Sequence, residues 1–554
     1  MKIHLHTLIF LIITSFSYAQ QAPVYVGPRG STADDPANGI YVSPDGNDIT
    51  ATGSIDNPYK SINTALSKAS SGSTIILRGG SYYEGINVRV REPNITIKSK
   101  KGEWAIIDLT DYNPGHHDDS GVYFYPGSSG SKLQAVEVIG GYYAVCIETE
   151  WDWLPPQTPP VHGPGVCNII IEDCILHDSK NDVVKVKPDC NNITIRYCEI
   201  YNSGQEFSGD DCTPDGRANA EAIDNVNGDN MVVQNNYIHD ICTNGIYAKG
   251  GAGDAVIENN IIENIKGAGI LIGFDTSPDF FDLNVNPEYY ENFRGIVRNN
   301  LIINTVLSGI GLYAAKDAQV YNNTLVNVCT HATYHSAIYF GVATQDYDNY
   351  DGCPPSINPN IHNNIICQPS SNTGKMIEIR YIENFHFYPS DLYRDLSALN
   401  GKPMMSENCY YIAGKSASFT DRRPGGINYA GLAAWKSHID GDTGSVEVNP
   451  DLDVDYIPAN AQCTGMGIQH PLKINTTGII APILVLETSA YISNGILYLK
   501  NSIAEKVQVY SINGTLLYNL LKSNGETNYS INQPKGTELI IKGSTGWRKK
   551  VIVQ

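Results

Sequence analysis

The sequence predicts a right-handed parallel β-helix, an all-β solenoid, with an N-terminal capping helix and a small C-terminal β domain. Three observations carry this. A short phrase ending in Cys or Asn recurs seven times, at Cys174, Cys198, Asn236, Asn260, Asn300, Asn323 and Asn364. Three of the steps between copies are 23 or 24 residues. The others are 38, 40 and 41, one repeat plus an insertion hung on a regular scaffold. Each copy alternates apolar and polar residues, as in Val-Ile-Glu-Asn-Asn260, and then enters a second short apolar run, which reads as strand, turn, strand. No copy can bury its apolar face alone. Stacked about 4.8 Å apart, the copies share one interior, and the Asn column becomes a ladder of side-chain amides.

The elements follow in chain order. Residues 1–19 combine basic Lys2, an apolar run from Leu8 to Ile13 and small Ser17 and Ala19 before Gln20, the pattern of a secretory signal peptide. No later apolar run is long enough for a membrane span, and no Cys closely follows the leader, so neither a spanning helix nor an N-terminal lipid anchor is expected. The β-helix domain then covers 20–475. Asn57-Pro58 reads as the N-cap and first-turn pair of an amphipathic helix that presents Ile62, Ala65, Leu66 and Ala69. Such a helix covers the open end of the first coil.

This polar lead, the helix and the Gly-rich turn at Gly79-Gly80 resemble the entry segment of the pectate-lyase-like superfamily of β-helix proteins. Tyr429-Ala-Gly-Leu-Ala-Ala-Trp435, Val448-Asn-Pro-Asp451 and Asp455-Tyr-Ile-Pro458 resemble the closing segment of its bacterial members. The resemblance implies the fold and not a particular chemistry. Residues 476–554 differ in composition. Val507 to Tyr518 reads as a hairpin across Asn513-Gly514, with further strands at Glu538–Gly543 and Lys549–Gln554. This pattern, with its Lys549-Lys-Val-Ile-Val-Gln554 terminus, is similar to the C-terminal sorting domain of proteins exported by the type IX secretion system of Bacteroidetes. That similarity implies the secretion machinery as a partner, and a secreted or cell-surface location reached through the periplasm.

The formal charge is −20 and the pI about 5.0. An acidic surface repels nucleic acid, and any anionic glycan needs a local basic patch on it. There are 12 Cys. Cys174 and Cys198 share one column of neighbouring coils, where either a bridge or two stacked thiols would fit.

Taking Val183, Ile223, Ile246 and Ile310 as an inward column, the residues just beyond them share an outer strip. They are Lys185 and Lys187, Asp224, Asn225 and Asn227, Tyr247 and Lys249, and Tyr313. Two insertions flank the strip and build a cleft: 201–223, holding Asp210, Asp211, Asp215 and Arg217, and 274–294. A second column runs through His177, Tyr201, His239 and Glu263.

A uronic acid carries a weakly acidic C5 proton beside its carboxylate, and losing it expels the group at C4. The reaction needs a cation or metal on the carboxylate, a base at C5 and an acid at the leaving oxygen. Crowded lysines lower one another's proton affinity, so Lys187 or Lys249 is expected as base and His239 or Tyr247 as proton donor. Lys185, Asp224, Asn225, Asn227, Arg217 and Tyr313 are expected to position substrate. Asp182-Val-Val-Lys-Val-Lys187 resembles a run of the alginate lyase and chondroitinase B family, which implies Lys187 as Brønsted base and Asp182 as a calcium ligand. Lys180 and Pro188 depart from that family's pattern at an acidic ligand and a Ser.

The expected function is therefore a secreted carbon-oxygen lyase acting by β-elimination on a uronate-containing anionic polysaccharide or its oligosaccharides. A dehydratase differs only in expelling water. A β-helix glycoside hydrolase would use clustered Asp residues, and Gly209-Asp-Asp-Cys212 resembles one polygalacturonase signature while the Gly-His-Gly and Arg-Ile-Lys elements are absent. A non-catalytic glycan-binding β-helix would stack sugars on Tyr247, Tyr313 and Tyr339.

Overall fold

The computed structural model describes residues 22–476 apart from 111–114, 116–118, 153–160, 208–210, 213–217, 332–334, 345–353 and 388–391. Of 477–554 it describes the strands between Ser489 and Ile552, with Gln533, Pro534 and Thr537. The chain divides into two compact units, the second comprising Gly102–Trp104 and Ile479–Gln554.

The first unit is a right-handed parallel β-helix. Its coils feed three long sheets of 12, 11 and 12 strands, paired in parallel throughout. One coil shows the pattern: Thr194–Arg196 lies in one sheet, Glu199–Tyr201 in the next and Ile223–Val226 in the third. The apolar member of each short strand points inward and stacks on its equivalent in the next coil. Ile171, Ile195, Val233, Ile257, Val297 and Val320 form one such column, all fully buried.

The amide ladder explains why Asn-Asn is the repeated pair. The residue before each ladder position adopts a left-handed conformation, at φ 58° for Asn235, 55° for Asn259 and 54° for Asn299, which Asn tolerates better than most residues. The second Asn is buried and bonds along the stack. Asn236 Nδ2 donates to Asn260 Oδ1 at 3.0 Å, Asn260 to Asn300 at 2.9 Å, Asn300 to Asn323 at 3.0 Å and Asn323 to Asn364 at 3.0 Å. Each also donates to a backbone carbonyl, so the buried amides are satisfied. The ladder continues to Asn408.

Cys174 and Cys198 occupy the same column as two free, buried thiols, so the bridge is not formed. Among the described residues a disulfide joins Cys212 to Cys242, tying the 201–223 insertion to the following coil.

The capping helix spans Ile62–Lys68 and starts later than Asn57-Pro58 predicts. Ser61 is the cap, its hydroxyl accepting from Thr64 N, and the Glu84 carboxylate accepts from Ile62 N at 2.7 Å and Asn63 N at 3.2 Å. Three otherwise orphaned amides are thereby filled, whereas Asn57 is held in a turn against Ser54. Ile62 and Ala65 bury against the first coils. Towards the other end, the helix Leu432–Ile439 packs Trp435 on Phe419, with ring centroids 5.5 Å apart.

In the second unit, Ser489–Ser493, Ile496–Lys500 and Thr527–Ser530 form one antiparallel sheet. Leu516–Lys522, Glu505–Ser511, Glu538–Gly543 and Arg548–Ile552 form another. Leu497 from the first sheet and Val509, Leu539 and Ile541 from the second share a small core. Among the described residues, no helix is long and apolar enough to cross a membrane.

Candidate active site

The 11-stranded sheet forms the wall on which the sequence placed its lysines. Strand register pairs Val184, Ile223, Ile246, Ile270 and Ile310 in one inward column. The inward residue of the first coil is thus Val184, one place beyond the expected Val183, which is also buried. Because side chains alternate along a strand, Lys185, Asp224 and Tyr247 share one outward column and Val226 and Lys249 the next. Lys187, beyond the end of Val184–Val186, continues the alternation on that outer side. Lys185, Lys187, Asp224 and Lys249 line a single cleft of about 230 Å³, together with Tyr143 and with Asp275, Thr276 and Phe280 of the 274–294 insertion.

The other expected residues separate. Asn225 alternates inward and is fully buried, its side chain bonding Gly228 N at 3.0 Å and Gly228 O at 2.8 Å, so it shapes a turn and cannot meet substrate. Asn227 donates to Phe280 O at 2.6 Å and anchors the insertion that walls the cleft. His239 lies in a different, 12-stranded sheet, with Asp240 at 2.8 Å, Glu199 at 3.3 Å and Tyr201 and Tyr237 stacked on it. It cannot donate a proton in the lysine cleft. Arg217, with Asp210 and Asp215, lies outside the described residues.

Tyr247, Tyr313 and Tyr339 are packed together with Leu271 and Phe274 and are at most 6% exposed. Buried rings offer no face to a sugar, so the stacking platform expected of a binding module is not formed by these three. The Tyr247 hydroxyl accepts from Asn244 Nδ2 at 2.6 Å, while Lys249 Nζ sits 4.3 Å from the ring centroid. Tyr247 thus supports Lys249 from behind.

The lysines do not act on one another as their crowding suggests. Lys185 Nζ bonds Asp224 Oδ2 and lies 3.2 Å from Asp182 Oδ2. Burial pushes this ammonium down, but Asp182 and Asp224 together outweigh burial and hold it well above the usual lysine range. A lysine clamped by two carboxylates is not a base. Burial pushes Asp224 up in turn, but Lys185 and then Lys249, whose Nζ is 3.8 Å from Oδ1, hold it below the usual carboxylate range. Lys187 is half-buried and, among the described residues, has no ion pair.

Glu221 was missed from sequence. Its backbone N donates to Asp182 Oδ1 at 2.9 Å, and oxygens of Asp182, Glu221 and Asp224 all lie within 4.8 Å of one another. The usable signal was the spacing: Asp182-x-x-Lys185 and Glu221-x-x-Asp224 fill the same two columns in successive coils. Burial first, and then Asp182, push the Glu221 carboxyl well up. Asp182 Oδ2, Glu221 Oε2 and Asp224 Oδ1 are buried and accept no hydrogen bond. These are hard donors of the kind calcium takes, but Asp182 Oδ2 faces Lys185 Nζ at 3.2 Å and Asp224 Oδ1 faces Lys249 Nζ at 3.8 Å, so Lys185 stands where Asp182 alone implied the ion.

Glu291 closes the floor behind the insertion. It is fully buried and accepts from Gly250 N and Thr276 Oγ1, each at 2.7 Å. Burial raises its carboxyl to about 7 from an ordinary value of 4.5. The folded state therefore holds this proton more tightly than the unfolded chain does. Its contribution to stability is present below about pH 4.5 and is lost as pH rises to 7, about 3 kcal/mol in all. Glu291→Gln keeps a neutral acceptor and is expected to flatten stability over that window. Urea titrations of both proteins at pH 4.5, 6 and 7.5 measure it, and an unchanged slope in the variant would refute the assignment.

A family model described as a right handed beta helix region matches residues 120–374. Pectate lyase PEL9 of Emericella nidulans is 34% identical over 119 residues, covering 19% of this chain and 29% of that protein. The match thus spans less than a third of the relative's length. Among solved structures, pectate lyase Pel9A is similar at a TM-score of 0.41 and 14% identity, over 60% of this chain and 76% of that one. The mannuronan C-5 epimerase AlgE6 A-module of Azotobacter vinelandii is similar at 0.41 and 13%, over 70% and 95%.

Proposed function

We propose that the chain is an exported carbon-oxygen lyase that breaks a uronate-containing glycan by β-elimination in the lysine cleft. The observation that carries this reading is the convergence of Lys185, Lys187 and Lys249 in one cleft on a chain of net charge −20. Asp182 and Asp224 offset Lys185 and Lys249 there, so the cation this cleft offers an anionic glycan is Lys187.

The roles divide by exposure and pairing. Lys187, half-exposed and without an ion pair among the described residues, takes the C5 proton. The electron pair released forms the C4–C5 double bond as the C4–O bond breaks. Lys249 Nζ, steadied by Asp224 and the Tyr247 ring, hands a proton to the departing oxygen. The Lys185–Asp224 pair supplies fixed charge that needs no reorganisation during the reaction. Asp182, Glu221 and Asp224 would hold calcium only where it displaces Lys185, and the ion would then supply the positive charge against the uronate carboxylate. These three carboxylates are at most 1% exposed, which disfavours their touching a sugar as the acid and base of a hydrolase.

The partial likeness to a pectate lyase favours a polyuronate as substrate. Export rests on the leader at 1–19, which lies outside the described residues, and on the C-terminal unit as a type IX sorting address. The test is incubation with alginate, ulvan, pectin and chondroitin, with and without a calcium chelator, while following the ultraviolet absorbance of an unsaturated uronate. A rise with at least one glycan is expected. Binding without a rise would favour a glycan-binding module, and new reducing ends without a rise would favour a hydrolase.

A further inference from the structure

Farther along the same wall stands a second charged cluster that the elimination chemistry does not use. Strand register runs Asp224, Tyr247, Leu271, Gly311, Tyr339 and Glu378. Glu378 therefore shares the column of Asp224, five coils and about 24 Å away. The wall between them is the uncharged cluster of Tyr247, Leu271, Phe274, Tyr313 and Tyr339.

Glu378 is fully buried and draws two cations together. Arg422 Nε donates to its Oε1, and Lys375 Nζ lies 3.6 Å from its Oε2. The neighbouring carboxylate, Asp421, is engaged by Arg423 and by His438 at 2.9 Å. The local field is positive: beyond burial, Lys375 and Arg380 help hold His335 down to about 4.

Beside these cations stands Tyr429, with a ring 60% exposed and its centroid 5.9 Å from Lys375 Nζ. Tyr429 is near enough to Arg422 to help, after Glu378, to raise its guanidinium. At φ 50° Tyr429 adopts a left-handed conformation that bulky residues disfavour. Tyr197, Tyr289 and Tyr456 share that conformation, but Arg29 covers the first, Phe281 packs on the second and the third packs against the apolar cluster of Val26 and Leu472. The ring of Tyr429 faces solvent.

We infer that Arg422 and Tyr429 form a second sugar subsite, which takes the anionic group of one ring on the guanidinium, with the buried Lys375 adding positive charge behind it, and the face of that ring on Tyr429. The ligand is an acidic glycan, its anion a carboxylate or a sulfate. A planar guanidinium donor suits either group, and an exposed aromatic face suits a pyranose. The inference rests on reading this wall as glycan-binding, but it does not require that elimination occur in the cleft.

The experiment is native electrophoresis of the full chain through gels containing pectate, alginate, a sulfated dextran or neutral dextran. Wild type is expected to be retarded by at least one acidic glycan and to run freely in neutral dextran. Retention by pectate and alginate marks a carboxylate reader, and retention by the sulfated dextran marks a sulfate reader. Arg422→Gln and Tyr429→Ala are each expected to weaken that retardation about tenfold, the loss of one charge-assisted contact or one stacked ring. Arg422→Lys should recover part of it. Tyr429→Ala removes an exposed ring, so its result stands even if Arg422→Gln fails to fold. If wild type is not retarded by any acidic glycan, or if Tyr429→Ala matches wild type, the subsite is wrong. If retardation depends on Arg422 and Tyr429 while no unsaturated product forms, the subsite stands and the lyase reading fails.

Discussion

Lys187→Ala is expected to lower kcat for glycan cleavage by roughly 10³-fold, the range a general base supplies, while leaving the melting temperature almost unchanged. The argument lies in what Lys187 lacks. Lys185 is locked between Asp182 and Asp224, and Lys249 leans on Asp224 and Tyr247. Lys187 reaches the same cleft without an ion pair among the described residues, so its removal leaves no buried charge behind. Lys187→Arg keeps the charge but cannot give up a proton near neutral pH, so it should be as inactive as the Ala variant. Activity within tenfold of wild type in either variant would remove Lys187 from the mechanism and leave Lys249 as the base.

Asp224→Ala is expected to cost about 3–5 kcal/mol of stability as well as activity. Asp224 is 1% exposed and faces both Lys185 and Lys249, so deleting it leaves two largely buried ammonium groups with one compensating carboxylate fewer. The double variant Asp224→Ala, Lys185→Met should be no more stable than the single one, because Lys185 also compensates Asp182 at 3.2 Å and its loss leaves that buried carboxylate without its cation. It should recover none of the activity, because Lys249 stays without its carboxylate. Urea unfolding of the wild type, the single and the double variant measures this. A single variant as stable as wild type would show that the pair is solvated and that the cleft is not preorganised.

The solenoid was legible because a stacked fold writes its geometry into a period. One Asn per coil marks the ladder and one apolar residue marks each inward position, so Asn236 to Asn364 could be placed before any coordinate. Asn408 escaped because Met404-Met405-Ser406-Glu407 lacks the clean alternation of the other copies. The lysine wall was legible for the same reason, once side chains alternate along a strand. Its errors come from single-residue phase. Counting from Val183 instead of Val184 left the faces of the following residues loosely assigned, and Asn225 was placed outside when its amide closes a turn inside.

Sequence separation also says nothing about which sheet a residue joins. His239 is eight residues from Tyr247, yet the intervening corner sends it to another face of the coil. Glu221 was hidden because it ends an insertion, where no period guides the eye. The sign of the Lys185 shift was inaccessible for a related reason, since the two carboxylates that reverse it arrive from different coils.

The mass of the products tests the central claim most directly, with a defined acidic oligosaccharide as substrate and mass spectrometry as the readout. Elimination predicts two fragments whose masses add up to that of the parent, one carrying the unsaturated ring. Fragments that together exceed the parent by one water, or an uncut chain lighter by one water, would contradict it and assign the cleft to hydrolysis or to dehydration.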